Sequence, residues 1–502
     1  MGSPILALLF GNIQLDHSSD RAVYLQLADV MLSLIRDGKL RSGQKLPGSR
    51  DVAALLQLNR ITVSKAYDEL QMQGWLESFV GRGTFVSSHI PEHAPKKLSD
   101  RPIFTPQKRA GFSIQPKSYL NNMLSVVTTE LHLDDGFPDP KLAPIKELCR
   151  AYRGQLTRSG LYNKFGRYSY PDGPDYYREA LSGYLNDTRG LRTTAKNILS
   201  VRGTLMGINL VCNGLINPGD VVVSGIPGWK RAELNFAHAR ARHITIPVDE
   251  NGLVVDELKK ICRKTKVRMV YVTPHHHYPT TVSLRIDRRL ELVRLANEYG
   301  FIILEDDYDY DFHYKHRPLQ PLASADENGM VIYCGSFSKS FSPAFRMGYL
   351  VASENVIEHL ARVRVLLDRQ GDHIMDNAMA GLLHDGTIQR YLRKALAVYH
   401  ERRDLFCSLL KSELNDAVNF TVPEGGMTVW TTFAASINLE KLSKAAYMQG
   451  LYISDGKAHQ YPNYNANAIR LGFASSSKEE LAKSVEILKS ICRNNKKQGS
   501  LK

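Results

Sequence analysis

Apolar residues near the start of the chain recur at the spacing of an amphipathic helix. Within AVYLQLADVMLSLIRDGKL, residues 22–40, they fall three and four positions apart, which places them on one face of a helix. Gly38 follows this stripe and is expected to end the helix. The residues of the stripe are Tyr24, Leu27, Ala28, Met31, Leu32 and Ile35.

Two shorter helices with a tight connection are predicted next. Pro47 and Gly48 favour a turn, and Ser49 is placed to cap the helix that follows. The residues of this helix that would face a core are Val52, Leu55 and Leu56.

The second short helix has an apolar face and a polar, basic face. Asn59 is placed to cap it. The apolar face carries Val63, Ala66, Tyr67 and Leu70. The polar face carries Arg60, Thr62, Ser64 and Lys65. Such a pair of helices is typical of a helix-turn-helix, whose second helix enters the major groove of DNA with its N-terminal residues leading.

A hairpin is predicted after these helices. GWLESFV and GTFVSS read as two strands around a tip at residues 81–83. This hairpin would form a wing that can place Arg82 against phosphate or in the minor groove. The alternative is a three-helix protein-interaction domain. The charge does not exclude it, because residues 1–90 carry nine Lys and Arg against eight Asp and Glu.

Strands and helices alternate from about residue 123 onward. DVVVSG, RMVYVTP, FIILEDD and MVIYCGS are predicted as buried strands, and RRLELVRLANEYG as a helix that ends at Gly300. This alternation is typical of an α/β domain with a mainly parallel sheet covered by helices. Ligands of such sheets bind at the carboxyl ends of strands, and the polar runs EDDYDYDF and GSFSKS follow two of the predicted strands.

These polar runs supply the groups that pyridoxal 5′-phosphate (PLP) needs. An uncharged Lys339 amine can form a Schiff base with the PLP aldehyde. Asp306 could keep the pyridine nitrogen protonated. The phosphate needs donors and a cation, which Ser336, Ser338 and Arg346 could supply.

Three further segments could complete such a site. Tyr308 could hydrogen-bond the phenolic oxygen of the ring, and Trp229 could stack on the ring. The segment SVRGTLMG, residues 200–207, opens a predicted helix whose backbone N–H groups could bind phosphate. Taken singly, each signal has a simpler explanation: S-x-S-K as a surface loop, the acidic run as a solvated strand end, and Trp229 as a core residue.

Length, charge and cysteine content narrow the class of protein. The 502 residues imply two or three domains. No apolar run reaches the roughly 18 residues of a membrane span, and the start MGSPILALLFGN lacks a basic leader, so we expect an ordinary N-terminus. The net charge of +14 is compatible with a polyanionic partner.

The cysteines and histidines predict neither disulfides nor a metal site. Without a C-x-x-C pair, buried free thiols in a reducing cytoplasm are expected. The three histidines at 275–277 have no matching cysteine or carboxylate cluster, so no metal is predicted. The cysteines are Cys149, Cys212, Cys262, Cys334, Cys407 and Cys492.

The pattern divides the chain into three parts. Residues 1–88 are predicted to form the winged helix-turn-helix, and residues 123–502 the α/β domain. Residues 89–122 form a basic, Pro-containing linker, with six Lys and Arg against two acidic residues between 89 and 118. The linker is either a solvated tether, or an additional phosphate contact or a path along the surface of the second domain.

The first domain resembles the winged helix-turn-helix of GntR-type bacterial transcription regulators. The resemblance covers LPGSRDVAALLQLNRITVSKAYDELQMQGWLESFVGRGTFV, with its LPxSR turn, R-x-T-V-x-x-A-Y helix and G-W-L hairpin. It implies DNA binding by the turn arginine, the start of the recognition helix and the wing. The implied DNA-binding residues are Arg50, Asn59, Arg60, Thr62, Lys65, Arg82 and Gly83.

From about Tyr162 to Ala474 the chain resembles a fold-type I aminotransferase. The segments RYSYPDGPDYYREALSGYL, NPGDVVVSGIPGW, VYVTPHHHYPTT, IILEDDYDYDF, GSFSKSFSPAFRMGYLVA and AIRLGFA match in order. The resemblance implies a PLP site, with Lys339 as the Schiff-base lysine, and a smaller C-terminal α+β subdomain. The implied cofactor residues are Gly203, Thr204, Trp229, Asp306, Tyr308, Ser336, Ser338, Lys339 and Arg346.

The same resemblance implies a carboxylate clamp. Arg470 in IRLGFA would hold a substrate or effector carboxylate bidentately, with a strand-end salt bridge as the alternative. Arg231 is a second candidate for this role. The segment HYPTT departs from the family pattern, because Thr281 replaces a glycine and His277 a glutamine. Leu205 stands where the family commonly has a polar residue.

A winged helix joined to an aminotransferase-like domain is similar to the MocR/GabR subfamily of GntR regulators. The resemblance implies a cytoplasmic, homodimeric, DNA-binding regulator that senses an amine, an amino acid or PLP itself through an aldimine at Lys339. The alternative is a working aminotransferase with an accessory DNA-binding head. A third hypothesis is a PLP-independent regulator that uses the domain for dimerisation.

Overall fold

The computed structural model of the chain describes residues 15–89, 108–120, 129–157, 168–314, 319–462 and 464–499, together with residues 13 and 166. The chain divides into two compact units, Met1–Ile114 and Gln115–Lys502. The N-terminal segment MGSPILALLFGN and most of the predicted linker, residues 90–107 and 121–122, lie outside the described residues.

The first unit contains three helices and a hairpin within its described residues. They are α1 (Val23–Arg36), α2 (Ser49–Leu55), α3 (Arg60–Met72), β1 (Leu76–Phe79) and β2 (Gly83–Val86). The strands pair antiparallel. The winged helix-turn-helix elements predicted from the apolar spacing are therefore present. Their shared core includes Leu27, Met31, Val52, Val63, Leu70, Trp75 and Val86.

Two local predictions for this unit were wrong. Ser49 does not cap α2: it is the first helical residue, and Gly48 occupies the cap position without a side-chain bond. Leu55 is 39% exposed because it lies at the last residue of a short helix. The cap of α3 was predicted correctly, since Asn59 Oδ1 accepts a hydrogen bond of 2.9 Å from the N–H of Ile61.

The second unit alternates strands and helices along the chain. The strands are β3 (Leu131–His132), β4 (Ile198–Val201), β5 (Val221–Ile226), β6 (Arg242–Asp249), β7 (Gly252–Leu253), β8 (Val267–Val272), β9 (Ile302–Asp307), β10 (Val331–Ser336), β11 (Gly348–Val351), β12 (Val418–Phe420), β13 (Thr428–Phe433), β14 (Leu451–Tyr452) and β15 (Ala468–Gly472).

The helices of this unit cover the sheets. They are α4 (Ile145–Thr157), α5 (Asp175–Arg189), α6 (Thr204–Leu215), α7 (Lys230–His238), α8 (Val255–Cys262), α9 (Ile286–Tyr299), α10 (Phe337–Ser340), α11 (Glu354–Val365), α12 (His373–His384), α13 (Thr387–Leu414), α14 (Leu439–Met448) and α15 (Lys478–Gly499). None of the helices in the described ranges is both long and apolar enough to cross a bilayer.

The main sheet has the strand order β4-β11-β10-β9-β8-β5-β6-β7. Strands β10, β9, β8, β5 and β6 run parallel, whereas β11, β4 and β7 pair antiparallel at the two sides. Neighbouring strand residues face opposite cores: Ile303 packs with α8 and α9, and Leu304 packs with α6 and α7. This two-sided burial explains why the strands read as continuous apolar runs.

A smaller α+β layer completes the second unit. Strands β12, β13 and β15 form an antiparallel sheet, and β14 pairs parallel with β3. The core of this layer includes residues of α13, α14 and α15. The loop after β3, residues 134–137, leads from this layer toward the edge of the main sheet where β9 and β10 end.

The cysteines only partly match the expectation of buried thiols. All six are free, but Cys149 is exposed near the start of α4, while the other five are buried.

Candidate functional site

The candidate site lies at the carboxyl ends of β9 and β10, in the parallel centre of the sheet. β9 ends at Asp307 and β10 ends at Ser336, and the short helix α10 carries Lys339 directly after β10. Cys334 pairs with Asp306 in the ladder between the two strands. The sheet register therefore brings the acidic run and the lysine segment to the same edge.

The Lys339 amine is buried and held by a backbone loop. Its Nζ donates hydrogen bonds to the carbonyls of Asp135 (3.1 Å) and Gly136 (2.6 Å), and it lies 4.1 Å from the centre of the Phe137 ring. Burial lowers the pKa of Lys339, although the charges of Asp135 and Asp134 act in the opposite direction. The lowered pKa favours the neutral, nucleophilic amine.

Asp306 presents a carboxylate oxygen that lacks a partner. Its Oδ2 accepts a hydrogen bond of 2.7 Å from the hydroxyl of Tyr271, whereas Oδ1 is buried without a partner among the described residues. Burial, together with the charges of Asp307 and Asp309, raises the pKa of Asp306 to about 7, although the hydrogen bond from Tyr271 acts in the opposite direction. A buried, unsatisfied carboxylate oxygen is costly, so this position suits a protonated nitrogen of a bound ligand.

The other acidic residues of β9 are structural. Glu305 accepts hydrogen bonds from the N–H groups of Leu322 (2.8 Å) and Ala323 (3.0 Å), and burial raises its pKa to about 7. Asp307 accepts a hydrogen bond of 2.6 Å from Tyr333. Burial would raise the pKa of Asp307, but His275 and Tyr333 hold it low. The simpler interpretation of this run as a solvated strand end is therefore wrong: these carboxylates are buried.

The start of α6 and Arg346 form a compact cationic corner. Gly203 precedes α6 with φ of 80°, and a Cβ at this position would lie 2.7 Å from Arg346 Nη2. Arg346 itself has φ of 51° and donates a hydrogen bond of 2.8 Å to the carbonyl of Arg202. Thr204 is the first residue of α6, so its N–H lies at the N-terminal, partially positive end of the helix, where anions bind.

The two predicted phosphate serines differ in availability. Ser336 Oγ accepts a hydrogen bond of 2.9 Å from the N–H of Ser338 and donates one of 3.1 Å to the carbonyl of Met347. Its hydroxyl is thus committed to the backbone. Ser338 Oγ is buried and has no partner among the described residues, so it remains available to a ligand.

The carboxylate end of the site contains an ion pair of Arg470, which was the alternative in the sequence analysis, but its partner Asp135 was not predicted. Arg470 is buried in β15, and its Nε lies 2.6 Å from Asp135 Oδ1. Its Nη1 donates a hydrogen bond of 3.0 Å to the carbonyl of Pro279, and its guanidinium carbon lies 4.6 Å from the centre of the Tyr278 ring. The Tyr278 hydroxyl donates to Asp135 Oδ2 at 3.1 Å.

The predicted aromatic residues lie around the same space. Trp229 is partly buried before α7, with its ring centre 6.2 Å from that of Tyr278. The Tyr308 hydroxyl donates a hydrogen bond of 2.9 Å to the carbonyl of His276. Arg231 is exposed; burial raises the pKa of Tyr278, and the charges of Arg470 and Arg231 oppose this rise.

Asp135 and Tyr271 are the functional candidates that sequence reasoning missed. Asp135 comes from a loop about 200 residues before Lys339, and Tyr271 from the interior of β8. Tyr271 points toward the same helix layer as Leu304 and resembles an ordinary core residue in sequence. The Asp-Gly pair in LDDGFPDP was the available signal for a tight turn near a ligand.

The departure at Thr281 produces a strained backbone. Thr281 has φ of 63°, in the left-handed region that β-branched residues disfavour, and its N–H donates a hydrogen bond of 2.7 Å to the carbonyl of His277. His277 is buried, which lowers its pKa to about 4, and its Nε2 lies 2.8 Å from the carbonyl of Pro227. The turn therefore keeps the geometry of a glycine turn without the glycine.

The three consecutive histidines have separate partners. His275 Nε2 lies 2.5 Å from the carbonyl of Leu319, and His276 Nδ1 lies 2.8 Å from Asp309 Oδ1. No group of three or more His, Cys, Asp or Glu side chains in the part of the chain that the structure describes is arranged to hold a metal ion.

The predicted DNA-binding residues lie on the surface of the first unit. Arg50, Arg60, Lys65 and Arg82 are exposed, and Thr62 is half-buried. Asn59 uses its side-chain oxygen to cap α3. Gly83 has φ of 106°, and a Cβ there would lie 3.0 Å from Lys45 Cε, so Lys45 is a further basic residue beside the wing that the sequence did not indicate.

Comparison with known proteins identifies both units. Residues 139–488 match the family model for aminotransferase class I and II. The chain belongs to this aminotransferase family. Residues 23–86, in the first unit, match the model for bacterial regulatory proteins of the gntR family. This match implies that the first unit binds DNA.

Two curated relatives align with nearly the whole chain. An uncharacterized HTH-type transcriptional regulator of Bacillus subtilis, YdfD, is 28% identical over 464 residues, which is 92% of this chain and 94% of YdfD. The "Probable rhizopine catabolism regulatory protein MocR" of Rhizobium meliloti is 25% identical over 95% of both chains. The predicted similarity to the MocR/GabR subfamily is thus confirmed.

The chain is also similar in structure to solved aminotransferases. The kynurenine aminotransferase of Pyrococcus horikoshii, solved in complex with PMP, is 26% identical with a TM-score of 0.69, covering 76% of this chain and 97% of that protein. The multiple substrate aminotransferase of Thermococcus profundus is 25% identical with a TM-score of 0.68, and the match covers 77% of this chain and 97% of that protein. The predicted aminotransferase fold is confirmed.

Replacing Thr281 by glycine should stabilise the protein. The left-handed backbone costs a non-glycine residue about 1–2 kcal/mol, and glycine recovers this at a smaller entropic penalty. We expect the free energy of unfolding to rise by roughly 1 kcal/mol, measured by thermal melting. Thr280→Gly is the matched control and should destabilise, because Thr280 does not have a positive φ. A lower stability of Thr281→Gly than of wild type would contradict the strain.

Asp306 should make the stability of the cofactor-free protein depend on pH. Its folded pKa of about 7 exceeds the ordinary 3.8, so the penalty on its ionised form is absent below about pH 4 and grows as pH rises toward 7. Asp306→Asn removes this penalty. Its stability gain over wild type should therefore be larger at pH 8 than at pH 5, by roughly 2 kcal/mol. An equal gain at both pH values would refute the assignment, and Asp256→Asn serves as the control.

Proposed function

We propose that this chain is a PLP-dependent transcription regulator, which binds DNA through its first unit and senses an amine or amino acid through its second. The observation that carries the proposal is that one chain joins a gntR-type winged helix to an aminotransferase site. This site has a buried lysine and a buried aspartate with one carboxylate oxygen that lacks a partner among the described residues. The protein would act in the cytoplasm, where its free thiols stay reduced.

The residues of the candidate site fit PLP. Within the described part of the chain, Asp306 Oδ1 is a buried acceptor without a partner, as a protonated ring nitrogen requires. Ser338 Oγ is likewise a buried hydroxyl without a partner there, and Gly203 leaves room for the guanidinium of Arg346 at the start of α6. These three groups would hold the ring nitrogen and the phosphate, and Lys339 would bind the aldehyde.

PLP, when bound, supplies an aldehyde that condenses with amines. The chain's own residues prepare this chemistry. Burial lowers the pKa of Lys339 and thereby favours the neutral form of its amine. Tyr271 holds one oxygen of Asp306 by a hydrogen bond, which would leave the other oxygen for the ligand. Ser336 fixes α10, and with it Lys339, because its hydroxyl caps the helix. The rings of Trp229 and Tyr278, whose centres lie 6.2 Å apart, would line one side of the space.

The loop 134–137 accepts hydrogen bonds from Lys339 Nζ through two of its carbonyls. An amine ligand that takes the place of Lys339 on the cofactor would change these contacts. This loop follows the linker in sequence by few residues. A change there offers a route by which ligand binding biases the placement of the DNA-binding unit, provided that the ligand binds the two states with different affinity.

The protein is proposed to act as a homodimer. Segments 168–170 and 366–370 lie together, since Gln370 accepts a hydrogen bond of 2.6 Å from the N–H of Ser169. They expose a set of large apolar or aromatic side chains, which suits an interface with a second copy: Tyr168, Tyr170, Leu366 and Leu367. Two DNA-binding units would then read two half-sites and gain affinity through effective concentration.

A working aminotransferase is the second candidate function. It is favoured by the retention of Lys339, Asp306 and Arg470 in one buried site. Repeated turnover of an amino acid with a 2-keto acid would support it. A ligand response without turnover would support the sensor.

Lys339→Ala should remove the ligand response while it preserves basal DNA binding. The variant lacks the amine that binds the PLP aldehyde, so the visible absorbance of the bound cofactor should disappear. Ligands should no longer alter DNA affinity in a fluorescence anisotropy titration of the full chain. Lys260→Ala, an exposed lysine of α8, is the control and should behave as wild type. A normal ligand response of Lys339→Ala would refute the proposed sensing site.

Arg60→Ala should weaken binding to the specific operator. Arg60 is exposed at the first position of the recognition helix α3, where a side chain reaches base edges. A base contact should cost about 1–3 kcal/mol and relax specificity at one position. Arg82→Ala in the wing is the comparison: a phosphate contact should weaken all sequences alike and reduce the salt dependence. An equal loss on all sequences for Arg60→Ala would make it a phosphate contact instead.

A further inference from the structure

We propose that Asp135 is a specificity-determining residue that competes with the carboxylate of the ligand for Arg470. The inference rests on the proposed function of the site and concerns its ligand class. A ligand that carries a carboxylate must displace the Asp135 side chain, whereas an amine that lacks a carboxylate leaves the ion pair intact.

Asp135 contacts both Arg470 and Lys339. The Asp135 carboxylate lies 2.6 Å from Arg470 Nε, and the Asp135 carbonyl accepts a hydrogen bond of 3.1 Å from Lys339 Nζ. One residue of the chain therefore contacts both the guanidinium that would bind a ligand carboxylate and the amine that would bind the cofactor. The Tyr278 hydroxyl fixes the second carboxylate oxygen of Asp135 at 3.1 Å.

The Asp135 side chain can leave while its loop stays in place. The side chain is 46% exposed, whereas that of Arg470 is only 4% exposed. The loop is held independently by Asp134, whose Oδ1 accepts hydrogen bonds from the N–H groups of Gly136 (2.8 Å) and Phe137 (3.0 Å). A Cβ on Gly136 would lie 2.6 Å from Thr428 Cγ2, so the backbone also packs closely against β13.

Displacement changes what a ligand carboxylate contributes to affinity. In the wild-type protein, one carboxylate replaces another on Arg470, so the new ion pair is offset by the loss of the old one. An amino acid and the amine that lacks its carboxylate should therefore bind with similar affinity. Removal of the Asp135 charge leaves a buried guanidinium that needs an anion, and the ligand carboxylate should then increase affinity.

Matched ligand pairs test this inference on the PLP-loaded full chain. The pairs are L-alanine with ethylamine, L-leucine with 3-methylbutylamine, and L-phenylalanine with 2-phenylethylamine. Dissociation constants are measured from the shift in cofactor absorbance and, independently, from the ligand-induced rise in Tm. For wild type the two members of a pair should differ by less than about threefold. Asp135→Asn should bind the amino acid on the order of tenfold more tightly, with the amine unchanged.

Two further variants keep the test decisive. Tyr278→Phe removes the hydroxyl that fixes Asp135, so it should shift the ratio in the same direction by a smaller factor, even if Asp135→Asn fails to fold. Asp256→Asn, which removes an exposed charge on α8, should leave the ratio unchanged.

The outcomes separate this inference from the proposed function. An unchanged ratio in Asp135→Asn would overturn the competition, and a weaker binding of amino acids would show that Asp135 instead orients Arg470 for the ligand. If no ligand shifts absorbance or Tm in wild type or in any variant, the proposed sensing function fails, and the inference fails with it.

Discussion

The burial of consecutive carboxylates at the end of β9 is the constraint on which the site depends. Ionised carboxylates in a low-dielectric interior are unfavourable unless donors surround them. Glu305 accepts hydrogen bonds from the backbone N–H groups of residues 322 and 323, and Asp307 accepts one from the hydroxyl of Tyr333. The other Asp307 oxygen, Oδ1, lies 3.2 Å from His275 Nδ1, whereas Asp306 Oδ1 has no partner among the described residues. The surrounding structure thus neutralises two carboxylates and leaves the third for a ligand.

Much of the fold could be predicted from sequence because its signals are local. The apolar runs in FIILEDD and MVIYCGS correctly predicted β9 and β10, and Asn59 correctly predicted the start of α3. These predictions succeeded because periodicity and capping depend on residues a few positions apart. Ser49 was misplaced by a single residue, because Gly48 and Ser49 can both begin a helix. The acidic run was ambiguous alone, because its donors come from distant segments.

The site was predictable only in part for the same reason. Lys339 and Asp306 follow strands of one sheet, so their proximity follows from parallel topology. The contact between Asp135 and Arg470 joins a loop before α4 to a strand near the chain's end. No spacing rule links such positions. The left-handed backbone of Thr281 was likewise hidden, because only the family's glycine at that position hinted at it.

The resting partners of Lys339 are backbone carbonyls, those of Asp135 and Gly136. Carbonyls are common to every amino acid, so a substitution of Asp135 keeps both hydrogen bonds of the lysine, while Asp134 and Gly136 maintain the shape of the loop. If Asp135 sets ligand preference as proposed, this preference could change by a point mutation while the lysine stays in place. Ligand preference and cofactor attachment would then be separately heritable traits.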